Sequence, residues 1–165
     1  MSVLPTRRFL IRLALPVVAA LLLASCGDRG PVRRVSKPAA SLQQLTVRAD
    51  GRWEVQLRLN NYSSMAMRFT GIRLDMALDN GAAAHIEAQP NLEVGPESAD
   101  VHVATVVPTP AGMARIATAL ADGHGLSYTL EGNLQATPDG AGSKTWTVKT
   151  SSALSPVPGL AGTLR

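Results

Sequence analysis

Cysteine is almost absent from this sequence, and aromatic residues are scarce. Cys26 is the single cysteine among 165 residues, so no intramolecular disulfide can form. Aromatic side chains make up 4% of the chain and hydrophobic ones 45%, which excludes a disordered chain and predicts a core of aliphatic residues. A chain of this length accommodates one ordinary domain.

Long apolar runs are also missing. A membrane-spanning helix needs roughly 20 apolar residues, whereas the uncharged stretch at residues 13–25 has 13 positions and is interrupted by Pro16. The preceding residues 1–12 contain three arginines and no acidic residue. A basic n-region followed by a short apolar h-region is typical of a signal peptide, which we assign to residues 1–25.

Neither positive nor negative charge is in large excess in residues 41–165. The whole sequence has a formal charge of +4, but residues 41–165 contain 9 basic and 11 acidic residues. Phosphate binding requires a concentrated basic face. We therefore expect no nucleic-acid partner.

The apolar stretch ends in Leu-Ala-Ser-Cys-Gly at residues 23–27, which resembles the lipobox of bacterial lipoproteins. The resemblance implies a lipid on Cys26 and signal-peptidase cleavage between Ser25 and Cys26. The partner would then be a membrane, because two or three acyl chains hold a protein there almost permanently. Gly27 stands where Asp commonly retains such proteins in the inner membrane, so we expect the periplasmic face of the outer membrane. The alternative is an ordinary secretory peptide with an incidental cysteine.

Residues 26–40 combine Gly, Pro and positive charge without an apolar period, which is typical of a flexible tether. We place the folded domain at residues 41–165. The basic residues of the tether offer contacts to anionic lipid headgroups, at roughly 1 kcal/mol each, as an alternative to simple solvation. These residues are Arg29, Arg33, Arg34 and Lys37.

Apolar residues recur at every second position through most of the domain, which predicts strands with one buried face. The clearest strand has Trp53, Val55, Leu57 and Leu59 on its apolar side. Further alternating sets are Ile72, Leu74, Met76 and Leu78; Ala82, Ala84, Ile86 and Ala88 beyond an Asp79-Asn80-Gly81 turn; Val101, Val103, Thr105 and Val107; Leu126, Tyr128, Leu130 and Leu134; and Trp146 with Val148.

One segment has a helical period instead. Thr109 can cap a helix, Pro110 suits its first position, and Gly123 can end it. The predicted apolar face of this helix consists of Met113, Ile116, Ala117 and Leu120. One short helix among about seven strands predicts an all-β fold, an immunoglobulin- or fibronectin-III-like antiparallel β-sandwich.

The order of these elements resembles the LEA type 2 family, whose members are also called LEA14-like or WHy domains. Residues 126–134 (LSYTLEGNL) are similar to the family's strand of tyrosine, hydrophobic residues and glycine, and residues 55–61 and 69–78 resemble its early strands. Asn60-Asn61-Tyr62 stands where the family usually has a rigid Asn-Pro-Asn turn. The resemblance implies a sandwich with a non-enzymatic, sometimes stress-protective role, and it assigns no binding residue.

Residues with catalytic or metal-binding chemistry are widely spaced. His85, His102 and His124 form no close grouping of metal ligands, and the first two are predicted to point outward from strands. Glu93 and Glu97 lie in a Pro/Gly loop, where paired acids stay solvated. Residues 140–144 (GAGSK) lack P-loop spacing, and no G-x-S-x-G elbow occurs. We therefore expect no enzyme activity, no catalytic residue, no metal and no cofactor.

Three functions fit these features. The first is a lipid-anchored envelope protein whose sandwich works by binding, structural support or stress protection, with envelope proteins or lipids as partners. The second is a carrier of lipids or other apolar ligands, which needs a cavity between the sheets or beneath the helix. The third is an envelope hydrolase. We favour the first, because the sequence contains no recognisable catalytic grouping.

Overall fold

The computed structural model describes residues 33–165. The predicted signal peptide, its cleavage site and Cys26 lie outside these residues. The described chain forms nine strands and one helix. The strands are β1 (Ala39–Val47), β2 (Trp53–Asn61), β3 (Met67–Leu78), β4 (Gly81–Ala88), β5 (Leu92–Val94), β6 (Ser98–Val106), β7 (Leu126–Pro138), β8 (Lys144–Leu154) and β9 (Thr163–Leu164), and the helix is α1 (Pro110–Asp122).

The strands form two antiparallel sheets, which confirms the predicted β-sandwich. Sheet A has the order β6-β2-β1-β9, and sheet B has the order β4-β3-β7-β8 with β5 paired to the start of β3. Strands β1, β2 and β6 occupy the places of immunoglobulin strands A, B and E, and β3, β7 and β8 those of C, F and G. The strands beyond the expected seven are the short β5 and β9.

The sandwich begins slightly earlier than the predicted boundary at residue 41. Strand β1 starts at Ala39, and both Pro38 and Ala40 are buried. The last residues of the predicted tether are therefore part of the folded domain. Their small apolar side chains carry too little periodic signal to show this from the sequence.

The core lies between the two sheets and follows the predicted period of two. Trp53, Val55, Leu57 and Leu59 on β2 are at most 1% exposed. They share the interior with Phe69, Ile72, Leu74, Met76 and Leu78 of β3 and with Leu130 and Leu134 of β7. Each fully buried aliphatic side chain contributes roughly 1.5–3 kcal/mol of transfer free energy, which makes this aliphatic interior the main stabilising element.

A buried tyrosine joins the two sheets. Tyr128 on β7 is 3% exposed, and its hydroxyl accepts a hydrogen bond of 3.1 Å from the backbone N–H of Leu42 on β1. The pairing of β1 with β2 shifts register between Leu42 and Gln44. A β-bulge of this kind interrupts the ladder and leaves backbone groups to be satisfied elsewhere. The Tyr128 hydroxyl satisfies one of them.

The face of β6 that is buried is opposite to the one predicted. Ala104 and Val106 are buried, whereas Val103 and Val107 are 50% and 74% exposed. The register with β2 determines which face of β6 is buried, because Ala104 lies opposite Val55 and Val106 lies opposite Trp53. The prediction was wrong because both faces of this edge strand carry apolar residues, so alternation alone does not identify the inner one.

Strand β4 shows a smaller shift at its start. Ala83 is fully buried and Ala82 is exposed, the reverse of the prediction for this pair, while Ala84 and Ile86 are buried as predicted. The cause is a register shift beside Met76 in the pairing with β3. Asp79 and Asn80, both with positive φ, form the predicted tight turn.

Helix α1 has the predicted ends but a rotated buried face. The Thr109 hydroxyl accepts a hydrogen bond of 3.0 Å from the Gly112 N–H, and Gly123 ends the helix in the left-handed conformation. The buried residues are Gly112, Ile116 and Ala119, whereas Met113 is 43% exposed and Ala117 is also exposed. The helix turns its small residues to β4 because its backbone lies close to that strand.

Glycine at two positions permits close backbone approach. A Cβ on Gly112 would lie 2.8 Å from the carbonyl oxygen of Ala83. Gly132 in β7 has φ of 153°, and a Cβ there would overlap the carbonyl oxygen of Arg73 on β3. The glycine of the LSYTLEGNL segment therefore has a packing role, because any side chain would push β3 and β7 apart.

We predict that Gly132→Ala destabilises the domain by about 3 kcal/mol or more, because the added methyl group overlaps the β3 backbone. Gly142→Ala is the matched control, since a Cβ at Gly142 meets no atom within 4 Å. Chemical denaturation of both variants measures the free energies of unfolding. Equal stabilities would contradict the close packing of β3 and β7.

We predict that Ile116→Asp costs several kcal/mol, because it places an unpaired carboxylate among buried apolar side chains. Met113→Asp introduces the same charge on the exposed side of α1 and is expected to change stability by less than about 0.5 kcal/mol. Thermal unfolding distinguishes the two. If both variants melt like the parent protein, α1 does not close the core.

Candidate functional site

One end of the sandwich is held together by the side-chain amide of Asn61, at the end of β2. Its Nδ2 atom donates to the carbonyl oxygens of Met65, Val94 and Gly95 at 2.8, 3.1 and 2.8 Å. Its Oδ1 atom accepts a bond of 2.9 Å from the Ser63 N–H. Asn61 is 1% exposed, so this single side chain satisfies backbone groups that are shielded from water.

The chain enters the domain at this same end and is fastened there. The fully buried Ser63 accepts a hydrogen bond of 3.0 Å at Oγ from the Ser36 N–H. The Arg34 N–H donates to Ser64 Oγ at 2.8 Å, and the Arg34 carbonyl accepts from the Ser64 N–H at 3.0 Å. Residues 33–36 therefore follow a defined path along the loop that joins β2 to β3.

Two arginines of the predicted tether form ion pairs with the domain. Arg34 Nη2 lies 2.9 Å from Glu97 Oε1 and donates to the carbonyl oxygen of Tyr62 at 3.2 Å. Arg33 Nη2 lies 3.6 Å from Asp139 Oδ2 and donates to the Asp139 carbonyl oxygen at 3.0 Å. These residues are more than a solvated linker. We name this region the N-terminal end; it comprises residues 33–38, 61–66, 94–97 and 139–143.

The N-terminal end also exposes apolar surface. Tyr62 is 52% exposed and Val35 is 41% exposed, and the Arg34 side chain connects the segment of Val35 to the Tyr62 backbone. Lys37 is exposed nearby. An aromatic residue, an aliphatic residue and basic groups thus lie together where the chain leaves the sandwich toward Cys26.

The outer face of sheet B is covered by ordered polar pairs. His85 and Asp75 are 2.8 Å apart, Arg73 and Glu87 2.9 Å, and Lys149 and Glu131 2.8 Å, and each pair lies directly opposite across two neighbouring strands. Exposed pairs of this kind contribute at most about 1 kcal/mol each. They make this face hydrophilic.

A polar groove of about 610 Å³ lies on this face, near the N-terminal end. Arg73 and Glu87 are its charged residues, and they pair with each other. The rest of its polar lining consists of the amides Gln89, Asn91, Asn133 and Gln135 and the hydroxyls Thr70, Thr137, Ser143 and Thr145. Such a lining offers hydrogen bonds to a polar, uncharged ligand.

The predicted solvent-exposed groups are distributed over separate parts of the domain. Glu93 pairs with Arg68 while Glu97 pairs with Arg34, so the two acids have different partners. Residues 139–143 form the hairpin loop between β7 and β8. Among residues 33–165, no three His, Cys, Asp or Glu side chains come together as a metal site.

The histidines do not meet. His85 points outward on sheet B, as predicted, and His124 is exposed after α1. His102 is half-buried on β6 rather than outward, because it lies opposite the buried Leu57. Burial lowers the pKa of His102, because the imidazolium form loses hydration there.

Sequence reasoning missed Asn61 as the organiser of this end. The Asn-Tyr-Ser segment at residues 61–63 matches a glycosylation acceptor, but the Asn61 amide nitrogen is engaged with three carbonyl oxygens. A polar residue at a strand position otherwise occupied by apolar side chains is the signal that could have shown it. Asn61 continues the inward series of Trp53, Val55, Leu57 and Leu59.

No helix in the described part of the chain is long and apolar enough to cross a membrane.

Comparison with known proteins assigns no family to this chain. No protein-family model and no curated protein matches the chain. A protein of Arabidopsis thaliana, whose structure was determined in solution, is 10% identical, with a TM-score of 0.48 over 82% of this chain and 88% of its own. A crystal structure of a protein from Archaeoglobus fulgidus is 12% identical, with a TM-score of 0.43 over 75% and 98%. The putative ApaA protein of Bordetella pertussis is 10% identical, with a TM-score of 0.46 over 79% and 100%.

We predict that Asn61→Asp costs about 3–5 kcal/mol at pH 7, because a buried carboxylate would face three carbonyl oxygens in place of a donor. Burial and these oxygens raise the pKa of the introduced group in the folded state above its unfolded value of about 3.9. The loss in free energy of unfolding is therefore largest at neutral pH and decreases as the pH falls through the raised pKa.

Asn60→Asp is the matched control for this change, because the Asn60 side chain alternates away from the core on the same strand. It is expected to leave stability nearly unchanged at pH 7. Urea denaturation at several pH values measures both variants. A pH-independent difference, or equal stabilities, would contradict the assigned role of the Asn61 amide.

Proposed function

We propose that this chain is a lipoprotein of the bacterial cell envelope, anchored by lipid on Cys26 and positioned at the periplasmic face of the outer membrane. The observation that carries the proposal is the lipobox-like segment at residues 23–27, which follows a basic n-region and a short apolar run. A lone cysteine in an exported protein has no disulfide partner in the chain, and acylation would explain its presence.

We further propose that the sandwich is a LEA type 2 domain that acts without catalysis, by binding, structural support or stress protection. The support is the sequence resemblance of residues 126–134 and the early strands to that family. The packing role of Gly132 and the inter-sheet hydrogen bond of Tyr128 give physical reasons for the two most distinctive residues of that segment.

The groove on sheet B is the proposed binding face of this domain. Its amides and hydroxyls favour a polar ligand such as an envelope glycan or an extended peptide backbone. A second depression of about 550 Å³ beside it is also polar, with Arg68, Glu93 and Asp139 in its lining. These linings support polar binding over the carriage of apolar ligands, which needs a mainly apolar cavity.

We predict that Cys26→Ser prevents acylation and leaves the uncleaved precursor, because the lipid-attachment and cleavage steps implied by the lipobox both require the cysteine thiol. Ser25→Ala is the control, since it keeps a small residue before the cleavage site. Metabolic labelling with a fatty-acid probe, read with the mass of the mature N-terminus, tests the pair. Unlabelled wild-type protein recovered soluble from the periplasm would refute the anchor.

A further inference from the structure

We propose that the N-terminal end of the sandwich rests on the bilayer surface, with Tyr62 and Val35 at the boundary between lipid headgroups and acyl chains. The lipid would thus hold the domain in one orientation as well as on the membrane. This inference rests on the proposed anchor at Cys26, and its test separates the two.

The covalent link between anchor and domain is short. Arg33 lies seven positions after Cys26, and seven steps of a fully extended chain span about 25 Å at most. The contacts of residues 33–36 with the loop after β2 fix the point at which this link leaves the domain. A lipid on Cys26 therefore keeps the N-terminal end within about 25 Å of the lipidated residue.

The exposed chemistry of this end suits a membrane interface. Tyrosine is favoured at the headgroup level, because its ring is apolar and its hydroxyl is polar. Tyr62 and Val35 are both substantially exposed, and Lys37 lies two residues from Val35. Exposed apolar side chains flanked by basic groups bind at the interface, and an attached lipid raises their effective concentration there.

The charges at the N-terminal end do not oppose this contact. Arg33 and Arg34 neutralise the carboxylates of Asp139 and Glu97, which would otherwise be repelled by anionic headgroups. Lys37 adds a further positive charge. The face presented to the bilayer is therefore weakly cationic, although residues 41–165 are slightly acidic as a whole.

Other exposed apolar residues, Met113 among them, lie outside the N-terminal end. Val107 follows the end of β6 and Leu160 follows β8, both at the opposite end of the sandwich. Val103 is on the outer face of sheet A. The short link favours the N-terminal end among these surfaces, because Arg33, at this end, is the described residue joined most directly to the anchor.

The test uses full-length lipidated protein in phosphatidylethanolamine–phosphatidylglycerol vesicles. Cys26 is the single native cysteine and is blocked by its lipid, so an introduced cysteine is the only free thiol. Tyr62→Cys carries a fluorophore, and Ala153→Cys, an exposed position near the far end of β8, is the matched control. Nitroxide-labelled lipids quench fluorophores that enter the bilayer.

We expect the label at Tyr62→Cys to be quenched at a depth of about 5–10 Å, as for side chains at the interface, and the label at Ala153→Cys to remain unquenched. Adding Val35→Asp to Tyr62→Cys should reduce the quenching, whereas adding Val103→Asp should not. Both changes introduce an acid at an exposed valine, so they separate a local effect from a change in total charge.

Each remaining outcome has one meaning. If the protein lacks lipid and does not associate with vesicles, the proposed anchor is wrong and so is this orientation. If it is lipidated and vesicle-bound but the two labels are quenched equally, the anchor stands and the orientation is refuted. If the Tyr62→Cys label is shielded from water without lipid quenching, a second copy of the chain covers this end, which also refutes the membrane contact.

Discussion

The side-chain amide of Asn61 is the constraint on which the N-terminal end of this protein depends. It shares its two hydrogens among three carbonyl oxygens and fixes the Ser63 backbone through its oxygen. A proline turn would stiffen one loop only. The amide instead joins the end of β2, the loop before β3 and the end of β5, and Ser63 extends the connection to the incoming chain at Ser36. Without it, buried carbonyl groups would lose their partners, at a cost of about 1–3 kcal/mol each.

The parts of the fold that could be predicted are those with a distinct sequence pattern. Strand β2 and the turn at Asp79 and Asn80 could be predicted, because each has a sharp local signal. The buried faces of β6 and α1 could not be predicted. The inner face of β6 is set by its register with β2, and that of α1 by the close approach of Gly112 to Ala83. Both depend on neighbours distant in sequence, which override a local apolar period.

The same distinction applies to the site. A lipobox is contiguous, so Cys26 could be proposed from five residues of sequence. The polar network at the N-terminal end joins residues far apart in the chain, as in the bond from Arg33 to Asp139, which are 106 positions apart. Composition gives no sign of such pairings. Only Asn61, a polar residue in an inward strand position, departs from its surroundings enough to be noticed in advance.

The position of β1 has a mechanical consequence. This strand lies between β2 and β9, and its N–H at Leu42 is also tied to sheet B by Tyr128. A force applied at residue 33 first loads the hydrogen bonds of Arg34 and Ser36. It then acts along the axis of β1, so the hydrogen bonds between β1 and β2 are loaded together in shear. The same force applied at Arg165 would first break its two backbone hydrogen bonds with Ser155 and then separate the two residues of β9 from β1 one after the other. We therefore expect the fold to resist tension at residue 33 more strongly than tension at Arg165.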